Sequence, residues 1–212
     1  MNRTIIFDFD GTIADSLPII LKIYTHVLPG GPQITKELFH LLRKLPAHKV
    51  AAKLDISLWR LPWLLKKGRK KMHDHLDEVL PFDGISDVLK ELQNRGYKLQ
   101  IVTSNSRTNV VAFLEMNNMT AYFDQVSSVR RLNGKPRVLK RIVSRQKLVM
   151  AETYYVGDEA RDVMATQKVG MPIVAVAWGF NDATLLREMK PTAVIETPKE
   201  LLDIFKKDKV QL

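Results

Sequence analysis

The stretch Ile5-Ile6-Phe7-Asp8-Phe9-Asp10-Gly11-Thr12 decides how the rest of the chain is read. Its first residues are apolar and largely β-branched, the pattern of a short strand buried on both faces of a parallel sheet. The run ends on a carboxylate, and a second carboxylate follows two residues on. Side chains alternate along extended backbone, so Asp8 and Asp10 address one side while Phe9 points away. Glycine and a hydroxyl close the stretch.

Working outward, the chain changes character after Ser16. From Leu17 to about Leu80 no clear strand appears. Apolar residues recur at helical spacing, as at Leu38, Leu41, Leu42 and Leu45. Pro29-Gly30-Gly31-Pro32, Pro46 and Pro62 divide the segment. Three or four short helices are expected there, with Pro81-Phe82-Asp83-Gly84 marking the return.

Beyond it, strand and helix patterns alternate. Ile85, Val88, Leu89 and Leu92 share a helix face, with Gly96 as C-cap. Strands are expected over 99–102, 125–129, 153–156, 173–176 and 193–195. Helices fall around Val110 and Leu114, after Pro136, over 160–169 and over 200–205. This alternation predicts an α/β fold, a doubly wound parallel sheet of Rossmann-like type. Residues 1–16 and 81–212 would form the sheet domain, and 17–80 a small inserted α-helical domain.

The chain has 212 residues, 45% of them hydrophobic, enough for a sizeable core. It has no cysteine, so disulfides and thiolate metal sites are excluded. The N-terminus lacks a signal-peptide pattern and no apolar run is long enough to span a bilayer, so a soluble cytoplasmic protein is expected. The formal charge of +10 points to an anionic partner. Between Ser16 and Leu80 there are 12 Lys+Arg against 5 Asp+Glu.

In an open parallel sheet, ligands bind outside the carboxyl ends of the strands. Asp8 and Asp10 fall there after the first strand, Thr103-Ser104-Asn105-Ser106 after the second, Gly134-Lys135-Pro136 after the third, and Gly157-Asp158-Glu159-Ala160-Arg161-Asp162 after the fourth. Carboxylates, a hydroxyl and an ammonium would meet at one edge. That outlines a site for Mg2+ and phosphate, since Mg2+ takes hard oxygen ligands while Lys135 and Ser104 can hold phosphate oxygens.

Asp8-Phe9-Asp10-Gly11-Thr12-Ile13-Ala14-Asp15-Ser16 resembles the opening motif of the haloacid-dehalogenase-like (HAD) phosphohydrolases. The hydroxyl after the second strand, the Lys before a Pro and the Gly-Asp-x-x-x-Asp run resemble the family's other three motifs, in order. Residues 17–80 occupy the position of the family's first type of helical cap, in a branch similar to phosphoglycolate phosphatases. The resemblance implies a Mg2+-dependent phosphatase acting on a small phosphorylated metabolite through an aspartyl-phosphate.

Under it, Asp8 is the nucleophile and a metal ligand. Asp10 is general acid, then base, and lends its main-chain carbonyl to the metal. Asp158 is the direct ligand of the fourth motif, with Glu159, Asp162 and Thr12 in support. Ser104, with Thr103 as competitor, Asn105 and Lys135 bind the phosphoryl group, helped by backbone N–H groups near Phe9 and Asn105. The aspartate at position 10 argues against dehalogenase or phosphonate chemistry, whereas a phosphomutase stays open. Each motif also admits a plain structural role: a turn at Asp10-Gly11, a helix cap at Asp158 or Ser104, a solvated Lys135.

The cap would set substrate choice by closing over the site. Trp59 and Trp63 stand beside Lys66, Lys67, Lys70 and Lys71. They read first as cap core with solvated lysines, second as a pocket for a bulky or multiply phosphorylated substrate, third as a contact for an anionic membrane or nucleic acid. The histidines of this region read as surface or packing residues. No obligate protein partner is evident.

Overall fold

The computed structural model describes residues 3–28, 30–57, 59–129 and 134–206. Leu58, part of the tryptophan stretch, lies outside them. The strands are β1 (Thr4–Phe7), β2 (Ala14–Asp15), β3 (Leu80–Pro81), β4 (Lys98–Thr103), β5 (Gln125–Ser128), β6 (Thr153–Gly157), β7 (Ile173–Val176) and β8 (Ala193–Ile195). The α-helices are α1 (Leu17–Val27), α2 (Lys36–Arg43), α3 (Ala47–Lys53), α4 (Leu61–His73), α5 (Ile85–Asn94), α6 (Arg107–Met116), α7 (Lys135–Gln146), α8 (Ala160–Gln167), α9 (Ala183–Glu188) and α10 (Leu201–Ile204).

Six strands form one sheet in the order β5-β4-β1-β6-β7-β8. Every neighbouring pair in it is parallel. Strand β1 lies inside it and is buried throughout, which is why Ile5, Ile6 and Phe7 run apolar in succession rather than alternating with polar residues. Its residues nevertheless serve two cores. Ile5 and Phe7 join a cluster with Leu89, Leu92, Val110, Phe113 and Leu201, so α5, α6 and α10 cover that face. Ile6 joins Leu139, Ile142, Val163 and Leu186, so α7, α8 and α9 cover the other.

The helical insertion leaves and returns through a narrow seam. Strands β2 and β3 pair antiparallel, Ala14 with Pro81 and Asp15 with Leu80, and the Phe82 N–H donates to the Ile13 carbonyl at 3.0 Å. Helices α1 to α4 follow β2. Ile19, Ile23, Val27, Leu64 and Met72 join the same apolar cluster as Phe9 and Phe113, so hydrophobic packing runs unbroken from sheet to insertion.

Trp59 and Trp63 are not core residues of the insertion, contrary to the first expectation: they are 94% and 51% exposed. Helix α4 begins only at Leu61, which leaves Trp59 outside the helical repeat. The inward face carries buried Leu64 and Met72, spaced i, i+8, and this turns Trp63 outward. There the Lys67 ammonium stacks on its ring at 4.9 Å. Two further features have no counterpart in the sequence reading, the β2–β3 pair and α9.

Candidate active site

The carboxyl ends of the parallel strands bring the candidate residues together. Asp8 follows β1, Ser104 and Asn105 follow β4, Lys135 opens α7, and Asp158 follows β6. At the centre, Lys135 Nζ lies 2.5 Å from Asp8 Oδ2 and 2.5 Å from Asp162 Oδ1. Asp8, Lys135 and Asp162 are 2%, 3% and 0% exposed, so the pairing is shielded from water. Lys135 therefore is no solvated surface lysine. The Tyr155 ring faces its ammonium at 5.4 Å, and the Tyr155 hydroxyl is anchored to the Val102 carbonyl at 2.9 Å.

One carboxylate oxygen each from Asp8, Asp158 and Asp162 lie within 4.8 Å of one another, and all three residues are buried. Asp162, expected behind the ligands, is thus one of the three. Asp158 is fixed from two sides: Thr12 Oγ1 donates to Oδ1 at 2.8 Å, and the Phe180 N–H donates to Oδ2 at 2.8 Å. The carboxylates are electrostatically frustrated. Burial, then Glu159 and Asp8, raise the Asp158 carboxyl well above the usual range. Burial pushes Asp162 up to about 7 although Lys135 opposes it. Lys135 loses to burial but gains more from Asp162 and Asp8, so its proton is held more tightly than usual. An all-oxygen, buried, under-neutralised set of this kind can hold a hard divalent cation.

Asp10 is half-buried and held differently. Asn105 Nδ2 donates to both its oxygens, at 3.1 and 3.0 Å. Burial, with the Asp8 charge adding to it, pushes the Asp10 carboxyl up to about 6. The Asn105 side chain is thus engaged with Asp10; its Oδ1 accepts from the Ser106 N–H and from Asn109 Nδ2. The Phe9 N–H donates to Asp8 Oδ1 at 2.8 Å, and the Asn105 N–H to Thr103 Oγ1 at 3.0 Å. Thr103 is thereby occupied. Ser104 Oγ is buried with no partner, which leaves it as the hydroxyl free to take a ligand oxygen.

Close approach explains two glycines. Gly11 has φ +74°, and a Cβ there would run into the Asp158 carboxylate. A Cβ on Gly179 would strike the Gly11 carbonyl oxygen and Asp158. The Gly179 loop, residues 177–182, follows β7 and was missed from sequence. The sequence signal for it is the carboxyl end of one more parallel strand, which falls at the same sheet edge.

Glu159 pairs with Arg161 at 2.5 Å, and its N–H donates to Asp162 Oδ2 at 3.3 Å. Above Asp10 lies a cavity of about 380 Å³ shared by sheet edge and insertion, lined by Asp10, Ser104, Arg161, Ile23, Leu64 and Arg69 among others. Among the described residues no helix is long and apolar enough to cross a membrane.

A sheet edge carrying this arrangement defines a class. The family model of the haloacid dehalogenase-like hydrolases matches residues 5–176, and the chain belongs to that family and is a phosphatase of its kind. It is 37% identical over 202 residues to the phosphoglycolate phosphatase of Synechococcus elongatus, covering 94% of this chain and 95% of that one. It is 27% identical over 209 residues to pyrophosphatase PpaX of Bacillus mycoides, covering 96% of each. Its fold superposes on a haloacid dehalogenase-like hydrolase from Streptococcus pneumoniae with a TM-score of 0.81, at 22% identity, covering 97% and 99% of the two chains.

Proposed function

We propose that the protein is a Mg2+-dependent phosphatase that hydrolyses a small phosphomonoester, of the phosphoglycolate kind, through an aspartyl-phosphate on Asp8. The observation that carries this reading is the Lys135 ammonium placed between the Asp8 and Asp162 carboxylates in a buried site. The named activity of the Synechococcus relative supports the choice of ester.

Asp8, Asp158 and the Asp10 main-chain carbonyl would hold the ion, with Asp162, whose carboxylate stands in the same cluster but is tied to Lys135, and with Glu159 and Thr12 supporting them. Bound there, Mg2+ supplies positive charge that offsets repulsion between the carboxylate and the phosphate dianion. Asp8 forms a bond to phosphorus while the bond from phosphorus to the leaving oxygen breaks. Asp10, held by Asn105, passes its proton to that oxygen. A carboxyl poised at about 6 can carry a proton near neutral pH. Water then attacks phosphorus, Asp10 takes its proton back from that water, and Asp8 leaves as carboxylate. Ser104 Oγ donates to a phosphoryl oxygen, and Lys135 holds Asp8 and the charge that builds on the transferring group. The test is a phosphate-release screen over phosphorylated metabolites, with and without Mg2+; release that ignores Mg2+ would sink the reading.

One observation favours a second reading, docking on an anionic lipid surface. Trp59 and Trp63 are exposed, and Lys67 stacks on Trp63. Salt-sensitive binding to anionic vesicles, lost on neutralising Lys66, Lys67, Lys70 and Lys71, would support it. Binding to duplex nucleic acid alone would replace it, and no binding at low salt would dispose of it.

A further inference from the structure

The cavity above Asp10 is where a leaving group must go. In-line attack by Asp8 places the departing oxygen on the far side of phosphorus, toward the proton carrier. The walls there are largely apolar, as at Ile23, Val27 and Leu64, yet Arg69 and Arg161 line the same space beside Asp10 and Glu159. Arg161 comes from the sheet domain and Arg69 from α4 of the insertion.

Arg161 is held through its side chain and Arg69 through its backbone. Arg161 is tied through Nη2 to Glu159 Oε1 at 2.5 Å, while its Nε is buried and without a hydrogen-bond partner. The Arg69 carbonyl accepts from Asn109 Nδ2 at 3.0 Å, and the same amide group donates to Asn105 Oδ1, which belongs to the residue gripping Asp10. One polar chain therefore ties the Arg69 backbone to the residue that grips the proton carrier. The two cations also feel each other. Burial lowers the Arg69 proton affinity, Asp10 opposes that, and Arg161 adds to it. Glu159 and Asp10 line the cavity too and offset part of this charge, yet the Arg161 Nε, buried without a partner, remains a donor that an anion would satisfy.

We propose that Arg69 and Arg161 form a second anion subsite, which takes a carboxylate or phosphate carried by the leaving group a few atoms from the scissile bond. The substrate class is then a phosphomonoester of a short hydroxy acid, or a phosphoanhydride, rather than a phosphate of a neutral alcohol. This rests on the phosphatase reading and adds recognition across the seam between insertion and sheet. Guanidinium forks suit both anions, because each presents paired oxygens to paired N–H donors.

The test compares phosphoglycolate, pyrophosphate and 2-hydroxyethyl phosphate, the last matching phosphoglycolate with its carboxylate replaced by a neutral hydroxymethyl. Each is assayed with wild type, Arg69→Ala and Arg69→Lys. Wild type should prefer an acid-bearing substrate, and Arg69→Ala should cut kcat/KM for that substrate by about 10- to 100-fold more than for 2-hydroxyethyl phosphate, mainly through KM. Arg69→Lys, which keeps charge without the fork, should fall between. The better of phosphoglycolate and pyrophosphate identifies whether carboxylate or phosphate is the anion. Equal losses on all substrates, or no preference in wild type, would overturn the subsite. Absence of turnover on every substrate would instead contradict the phosphatase reading. Phosphoglycolate and pyrophosphate titrated calorimetrically into Asp8→Asn, with and without Arg69→Ala, then decide the subsite: weakening of either by about tenfold or more supports it, and unchanged affinity for both removes it.

Discussion

Arg43, the last residue of α2 in the insertion, grips the loop that carries Gly179. Its Nη2 donates to the carbonyls of Gly179 at 3.0 Å and Ala177 at 2.9 Å, and its Nε to that of Phe180 at 3.2 Å. The grip is returned: Asn181 Nδ2 and the Asp182 N–H both donate to the Arg43 carbonyl at 3.1 Å. The Phe180 N–H on this loop donates to Asp158. Insertion and candidate metal carboxylate are thus two hydrogen bonds apart. Arg43→Ala is expected to cost about 1–3 kcal/mol, lowering Tm by about 2–12 °C, and to raise the Mg2+ concentration needed for half-maximal activity. Arg43→Lys should recover part of both. Thermal melts and a Mg2+ titration check this.

Lys135→Met would leave the Asp8 and Asp162 carboxylates buried without their shared cation. A loss of about 3–5 kcal/mol is expected, with activity abolished. The loss should depend on pH. Asp162 is already raised to about 7 with Lys135 beside it, so without the ammonium it binds its proton more tightly still. A group raised in the folded state costs stability as pH climbs from its unfolded value. The variant should therefore lie nearest wild type around pH 5 and fall further behind by pH 8, read by denaturant melts.

The same linkage governs the metal-free wild type. Burial raises Asp10 to about 6 and Asp162 to about 7, both from 3.8. The folded chain binds more protons than the unfolded one between those values, so these groups erode stability as pH rises from about 4 to 7. A cation on the cluster reverses that erosion. Saturating Mg2+ should raise Tm by about 5–10 °C at pH 7.5 and by clearly less at pH 5. An equal shift at both values would count against a cation at the carboxylates.

Gly179→Ala tests the close approach. The added methyl meets the Gly11 carbonyl oxygen, backbone that has little room to yield, as well as Asp158. Phosphatase activity is expected to fall at least about tenfold with a loss of about 1–3 kcal/mol. Gly30→Ala, where nothing lies within 4 Å, serves as the control: its positive φ costs stability without touching the site.

How far the sequence spoke for the structure depended on the kind of signal. Asp8, Asp158 and Lys135 were legible because strand periodicity fixes where a strand ends, and parallel topology sends those ends to one edge. The partners that tune them were not. Tyr155 under Lys135, Asn105 on Asp10 and Arg43 on the 177–180 carbonyls join residues far apart in sequence, and no period announces them. Strands β2 and β3 have two residues each, too short for alternation to show. Helix α9 has six, resting on the Asp182 cap to the Leu185 N–H. The tryptophans misled because helical spacing was extended across Arg60, where α4 has not yet begun.

The most direct test is phosphate release from phosphoglycolate and from an aryl phosphate by wild type and Asp8→Asn, with Mg2+ present. The Asn side chain keeps the shape of Asp8 but cannot accept the phosphoryl group as a carboxylate does. Activity is expected to fall at least about 1,000-fold on both substrates while the melting curve stays cooperative. Turnover by Asp8→Asn at the wild-type rate would contradict the aspartyl-phosphate account.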